Sequence, residues 1–577
     1  MSRDLIVIGG GSAGLTAAFI AGKLQANVLL VDKTRIGGDC TWTGCVPSKT
    51  LLASAHAAHA ARTAEAFGVH TGEVTVDFAA VMERVWRIRA GIGEHETPPA
   101  LEPHGIEVAF GGAKFLDRYT VQIGANRTER ADKFVICTGS RAAPPAIPGL
   151  EGAGYLTNES VFELRELPAR MVVIGGGPIG CELGQAFQRL GSKVTLLQAG
   201  SQLLAREEPT IGAHLAEVLR EEGVVVHLSA RANQVEVVNG DRVVHYEGPD
   251  GAAQVACDQI LVAVGRRANV EELGLEEAGV KLTKRGIATN AKMQTSTPHI
   301  YAAGDCTGGP QFTHWAEAES RTATRNALFR GSVSQNKETI PWVTFTDPEV
   351  ARVGLTEAEA AAKGGAHIVH TIPFTSVDRA ITAGKTGGFI KVVVDDKSRV
   401  LGAHIIGDHA GELLPEWVLA IEHGLTLPTL GNAIHAYPTL NRANRKIADQ
   451  DFFTNGVPGW KAKLFGTYRG RPPIDPAAVD TSTFIDNLTA FFRKPKEETR
   501  DAHPAGTCPN CWGRYEYDGE IRDAARDHQV DVNNHRENYA FIQNFAVTHV
   551  SGIRLREGPK GKYCPACREG RPDGHGH

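Results

Sequence analysis

Nowhere in the 577-residue sequence does an apolar run approach the roughly 18 residues needed to cross a bilayer, so no membrane-spanning helix is expected. Charge of one sign is also lacking: 61 lysines and arginines face 66 aspartates and glutamates, a net charge of -5. That balance gives no electrostatic ground for binding nucleic acid or a membrane surface. Met1 to Arg3 lead straight into the strand Leu5 to Ile8, which leaves no room for a secretory leader and sets the expectation of a cytoplasmic protein. None of the ten cysteines is adjacent to another. In a reducing compartment cysteines serve as buried thiols, transient redox pairs or metal ligands rather than as structural disulfides. The chain is too long for one core, and three or four domains are expected.

What is present is concentrated in a few glycine-rich turns. The stretch Gly37-Gly38-Asp39-Cys40-Thr41-Trp42-Thr43-Gly44-Cys45-Val46-Pro47-Ser48-Lys49 reads as a loop entering a helix, which the run from Leu51 to Ala61 supplies. A cysteine in the first turn of a helix feels the positive end of its dipole. The thiolate is favoured there, and Cys40 and Cys45 are read as a redox-active pair.

Upstream lies a strand, a glycine turn and a helix: Asp4-Leu5-Ile6-Val7-Ile8-Gly9-Gly10-Gly11-Ser12-Ala13-Gly14, then an alanine-rich stretch and the strand Val28 to Asp32. In this pattern Gly9 makes the turn, Gly11 lets the backbone approach a pyrophosphate, and Gly14 permits close helix–strand packing. Asp32 ends the second strand, where a carboxylate can hydrogen-bond a ribose. The unit recurs from Arg170 through Gly175-Gly176-Gly177-Pro178-Ile179-Gly180, with a helix to Leu190 and the strand Lys193 to Leu197. Two dinucleotide folds imply two dinucleotides. The second one ends in Gln198 rather than an acid, which removes a repulsion of a 2′-phosphate, and Arg206 follows as a counter-charge. NADPH is therefore favoured over NADH.

Together these segments resemble the flavin-dependent pyridine nucleotide-disulfide oxidoreductases, among them glutathione reductase, dihydrolipoamide dehydrogenase and mercuric reductase, over roughly residues 4–450. The CxxxxCxPSK segment beside two glycine fingerprints carries the resemblance. Phe134 to Ser140 resembles the return from the flavin domain, Val264 to Asn269 the close of the nicotinamide domain, and Ile300 to Asp305 the second flavin motif, whose aspartate holds the ribityl chain. The resemblance implies FAD at the first fingerprint, with Gly9, Gly11, Ser12, Ala13, Gly14, Asp32, Lys33, Gly38, Thr138, Gly139, Gly304 and Asp305 as its residues. It implies NADPH or NADH at the second, with Gly175, Gly177, Ile179, Gly180, Gln198, Gly265 and Arg266. It also implies a relay in which electrons pass from the nicotinamide through the flavin to a Cys40–Cys45 disulfide. Cys45 would lie beside the flavin and Cys40 would exchange with the acceptor. Lys49, paired with Glu182, would stabilise the reduced, anionic flavin.

From about Pro341 the sequence resembles the family's interface domain, which implies a homodimer. Its last motif, Ile434-His435-Ala436-Tyr437-Pro438-Thr439-Leu440-Asn441-Arg442, would complete the site of the opposite subunit. Thiol and disulfide reductases of the family have histidine before Pro-Thr and glutamate five positions later; here Tyr437 and Arg442 stand there. A phenol near pKa 10 is a poor base at neutral pH, though it donates a hydrogen bond or contacts a metal-bound species. His435 is the candidate substitute base. Mercuric reductase is similar in carrying tyrosine at this position, but it also has a vicinal cysteine pair near its C-terminus, and often an N-terminal metal-binding domain, both lacking here. The expected function is a mercuric reductase-like NAD(P)H:FAD disulfide oxidoreductase whose acceptor is a metal ion, a small disulfide or a partner protein. Dihydrolipoamide dehydrogenase and true mercuric reductase are the alternatives.

Past Asp451 the resemblance ends. A charged linker leads to Cys508-Pro-Asn-Cys511 and, some fifty residues on, Cys564-Pro-Ala-Cys567. Two CPxC turns have the form of zinc knuckles, and four thiolates complete a tetrahedral structural Zn²⁺ site. Such a module offers a second function of another class, docking a protein partner according to the state of the sulfur pair. The fold expected is α/β: two Rossmann-like dinucleotide-binding domains, an α+β dimerisation domain and a zinc-ribbon-like extension. The boundaries are 1–148 with 271–338 for FAD, 149–270 for NAD(P), 339–451 for dimerisation, 452–500 for a linker and 501–577 for the zinc module.

Overall fold

Extended, apolar residues build the first sheet around β1 (Arg3–Ile8), which is buried from Leu5 onward. The computed structural model describes residues 2–330, 332–335 and 339–455, with two further short strands at Arg556–Gly558 and Gly561–Tyr563, and every count or absence stated is of these residues. β1 runs parallel to β2 (Val28–Asp32) with Ile8 opposite Val31, and parallel to Arg127–Ile136 with Ile8 opposite Ile136. Ile300–Ala302 joins the far side of that strand, Ala302 opposite Ile136. The common register brings four carboxyl-terminal strand ends to one edge. Gly9, Asp32, Thr138 and Gly304 therefore meet there from distant parts of the chain, at the kind of edge where open α/β sheets take ligands.

The second sheet repeats the plan with four parallel strands in the order Val225–His227, Lys193–Leu197, Arg170–Ile174, Gln259–Val262. Ile174 stands opposite both Leu197 and Val262, so Gly175, Gln198 and the segment leading to Gly265 share its edge. The repetition extends to single atoms. A β-carbon on Gly14 would lie 1.7 Å from the Gly9 carbonyl oxygen, and one on Gly180 would lie 1.9 Å from that of Gly175. Helix α1 (Ser12–Lys23) and helix Pro178–Leu190 thus seat on their strands only because those positions are glycine.

A five-stranded antiparallel sheet follows, in the order Trp342–Thr344, Glu349–Gly354, Val400–Gly407, Phe389–Asp395, His367–Pro373. Helices Ala410–Glu422 and Arg442–Asn455 cover it, and the fully buried Trp417 anchors the core between them. No helix is long and apolar enough to cross a membrane.

Residues 457–577 form a separate unit, in which Arg556–Gly558 and Gly561–Tyr563 pair antiparallel with Arg556 opposite Tyr563. Cys508, Cys511, Cys564 and Cys567 lie outside the described residues, as does most of the expected linker.

Candidate active site

The two glycine edges open onto one cavity of about 1710 Å³, well beyond the roughly 300–1,000 Å³ of a single small-ligand pocket. Between them lies the cysteine segment. Cys40 sits in the short helix α2 (Gly38–Trp42), and Cys45 is the first residue of α3 (Cys45–Arg62), so the expected loop is itself a turn of helix. Gly38 has φ +61°, and a β-carbon there would lie 2.7 Å from the Gly11 Cα. The sulfur-bearing segment is thereby laid directly against the first fingerprint.

The two sulfurs are unlike. Cys45 is held below the ordinary thiol range, to about 6, first by a hydrogen bond from the Cys40 thiol and further by the Lys49 ammonium and the Thr313 hydroxyl, against the opposing effect of burial. The Thr313 oxygen is 3.7 Å from its sulfur. Cys40 is pushed well above the range, first by its hydrogen bond to Cys45 and then by burial. Reduced protein is therefore expected to gain one thiolate per chain as the pH rises through about 6 and to lose it on acidification, whereas an ordinary cysteine titrates near 8.5. Ultraviolet thiolate absorbance checks this, and the step should vanish in Cys45→Ser.

One turn further along α3, Lys49 Nζ donates to Glu182 Oε2 at 2.7 Å and lies 4.5 Å from the centre of the Phe345 ring. The Phe345 backbone N–H donates to the other Glu182 oxygen at 2.8 Å. The Glu182 side chain is 7% exposed. The pair expected from sequence is formed, and Phe345 is an addition that no motif announced.

The fingerprint residues show how each edge is built. Asp32 accepts from the Gly10 N–H at 2.8 Å with one oxygen and from the Thr34 and Arg35 N–H groups with the other. At the equivalent place in the second unit, the Gln198 amide oxygen accepts from the Gly176 N–H at 2.9 Å. Glutamine thus holds the turn as the carboxylate does, without the charge. Ser12, Ala13, Gly139, Gly177, Ile179 and Arg206 also line the cavity. Lys33 does not; its side chain is 77% exposed and faces Glu272, whereas Thr34 and Arg35 beyond it line the cavity.

Arg266 is committed within the protein. It donates to Asp39 and, through Nε at 2.8 Å, to Ser140 Oγ, which in turn donates to Asp305 at 2.6 Å. Burial raises the Asp305 carboxyl, opposed by that hydroxyl and by Arg266. Asp39, Ser140 and Thr313 were missed in the sequence; the only signal was an acid directly before Cys40. Tyr437 and His435 do not line the cavity of their own chain. Tyr437 is 70% exposed, while His435 turns inward and bonds to Glu416 at 2.9 Å.

The residues fit a flavin dinucleotide at the first edge. Two backbones approach where side chains would clash, a half-buried carboxyl faces in at Asp305, and the cavity has room for a second nucleotide. Comparison with known proteins agrees: the chain belongs to the pyridine nucleotide-disulphide oxidoreductase family, whose model matches residues 3–320, with that family's dimerisation domain at residues 340–447. The family uses FAD and NAD(P)H and forms homodimers. Among curated relatives, a mercuric reductase of Staphylococcus aureus is 38% identical over 441 residues, covering 76% of this chain and 80% of that one. A dihydrolipoyl dehydrogenase of Geobacillus stearothermophilus is 36% identical over 458 residues, covering 78% and 96%. Among solved structures, the Cu(II) complex of the HOCl-induced flavoprotein disulfide reductase RclA from Escherichia coli superposes with a TM-score of 0.70 at 28% identity, covering 78% of this chain and 99% of that one.

Proposed function

We propose that the protein is an NADPH-preferring flavoprotein that delivers electrons through the Cys40–Cys45 pair to an acceptor met where the Tyr437 loop of a second copy closes the site. The observation that carries this reading is the single cavity, with a fingerprint at each edge and the sulfur pair and Lys49–Glu182 between them. When bound, FAD supplies the group that accepts hydride and passes on electrons singly or in pairs. The chain's own residues do the rest. Asp32 and the Gly9 turn would hold the dinucleotide at its edge, and Lys49 would supply a fixed positive charge to offset the negative charge that reduction creates. Cys40, Lys49 and Thr313 keep Cys45 as the thiolate of the reduced pair. Cys40 is the sulfur assigned to exchange with the acceptor, and it must give up its proton to attack, because the thiolate is the nucleophile.

The absence of a histidine before Pro438 and of an acid at Arg442 argues against a proton-shuttling disulfide reductase and favours a metal ion or another acceptor that needs no such base. Cys508, Cys511, Cys564 and Cys567 are proposed, from their spacing alone, to hold a structural zinc ion.

Steady-state kinetics with both nicotinamides against mercuric ion, cupric ion and oxidised lipoamide tests the reading. NADPH should exceed NADH in kcat/KM. Gln198→Glu, which restores the acid while keeping the Gly176 contact, should lower kcat/KM for NADPH by about tenfold, the effect of roughly 1.4 kcal/mol of charge repulsion. Equal use of the two nucleotides, unchanged by that substitution, would refute the preference.

A further inference from the structure

We propose that Glu416 and His435 are positioning residues that present Tyr437 of one copy of this chain to the sulfur pair of a second copy. The inference rests on the reading above, in which the Tyr437 loop closes the partner's site, and adds what holds that loop.

The loop's anchoring is one-sided. His435 Nε2 lies 2.9 Å from Glu416 Oε1, its Nδ1 lies 3.1 Å from the Ala433 carbonyl oxygen, and its side chain is only 7% exposed. A carboxylate and a carbonyl thus grip the ring from both ends. The second Glu416 oxygen accepts from Asn444 Nδ2 at 2.8 Å, and Asn444 Oδ1 accepts from the indole N–H of the fully buried Trp417 at 2.9 Å. His435 is therefore tied, through two helices, to the core of the interface domain. Thr439 Oγ donates to the Ala436 carbonyl at 2.7 Å and closes the turn.

The outward face of the same loop is bare. Ile434 is 99% exposed and Tyr437 70% exposed, on either side of the inward histidine. An apolar side chain and a phenol held out on a loop whose intervening residue is locked into the core form a surface shaped for contact rather than for solvent. Where a histidine precedes Pro-Thr, the orienting acid five positions later acts on that residue directly. Here that position is Arg442, and the carboxylate that steadies the loop comes instead from Glu416 and acts two residues earlier, through His435. The placement of Tyr437 is thereby separated from its chemistry.

The test is the rate at which iodoacetamide alkylates the reduced Cys40–Cys45 pair in the NADPH-reduced, flavin-loaded dimer, with the alkylated sulfur located by peptide mass; the reaction needs no knowledge of the acceptor. Tyr437→Ala should uncover the sulfur pair and speed its alkylation about tenfold, since thiolate reactivity follows access. Glu416→Ala and His435→Ala should give most of that increase, and Glu416→Ala combined with Tyr437→Ala should be no faster than Tyr437→Ala alone. His435→Gln, which keeps a donor toward Glu416, should restore most of the wild-type rate. Flavin content and dimer mass serve as the control for folding; if Glu416→Ala fails it, His435→Ala, which leaves Glu416 bonded to Asn444, decides. An unchanged rate in Tyr437→Ala would overturn the reading that this loop faces the partner's sulfurs. A rise in Tyr437→Ala with none in the Glu416 and His435 variants, or additive rises, would overturn the positioning role alone.

Discussion

Cys45→Ser is expected to abolish half of the protein's electron uptake. Anaerobic titration of the wild-type holoenzyme with NADPH should consume two electrons for the flavin and two more for the sulfur pair, since reducing a disulfide is a two-electron step. The variant should stop after the first two. Turnover with an acceptor served by Cys40 should fall on the order of a thousandfold or more, the scale seen when one member of a group acting as a unit is removed. The direction follows from the asymmetry of the site. Cys45 is the sulfur kept as thiolate by Cys40, Lys49 and Thr313, and serine can neither carry that charge at neutral pH nor form a disulfide. Retention of the full electron count in Cys45→Ser would mean that the extra equivalents reside elsewhere in the chain.

Glu182→Leu should have the second-largest effect, on stability and rate together. The substitution leaves two donors without their acceptor: the Lys49 ammonium at 2.7 Å and the Phe345 N–H at 2.8 Å. Removing one partner of a buried ion pair costs several kcal/mol. The Lys49 side chain remains 35% exposed, so water recovers part of that, and a loss of about 2 kcal/mol is expected. A lowered urea midpoint for release of the flavin measures it. Hydride acceptance, followed in single turnover, should slow on the order of a hundredfold, as when one preorganised electrostatic group is lost from an active site. Glu182→Gln separates the two effects. Its amide oxygen still accepts from Phe345, so stability should largely return while the rate remains low.

Legibility in the sequence followed the range of the interaction. The glycine fingerprints were plain because each acts within its own turn: Gly14 against Gly9 and Gly180 against Gly175 are contacts five residues apart. The Lys49–Glu182 pair was reached only through the family pattern, since nothing local joins residues 133 apart. Gln198 was noticed for the charge it lacks, while its bond to the Gly176 N–H, which explains why glutamine is tolerated there, required the turn's geometry. Arg266 lines the cavity and also bonds to Asp39 and Ser140, contacts that its motif does not announce. Arg266–Ala268 pairs antiparallel with Ser140–Ala142, a long-range contact that brings Arg266 beside Ser140. Lys33 turns to solvent between Asp32 and Thr34, which both line the cavity, a difference of side-chain direction that sequence adjacency does not reveal. The Glu416–His435 contact joins a helix to a loop 19 residues away, and no spacing rule describes it.

Lys49 follows the first fingerprint, Glu182 belongs to the helix of the second, and Phe345 lies beside the antiparallel sheet, yet the three meet at one carboxylate. For recombination between homologues this makes the site a single heritable block. A crossover placed anywhere between residues 49 and 345 draws the three contacts from different parents, even when every domain is inherited whole. Chimeras that keep all three from one parent should be the ones that retain a working pair.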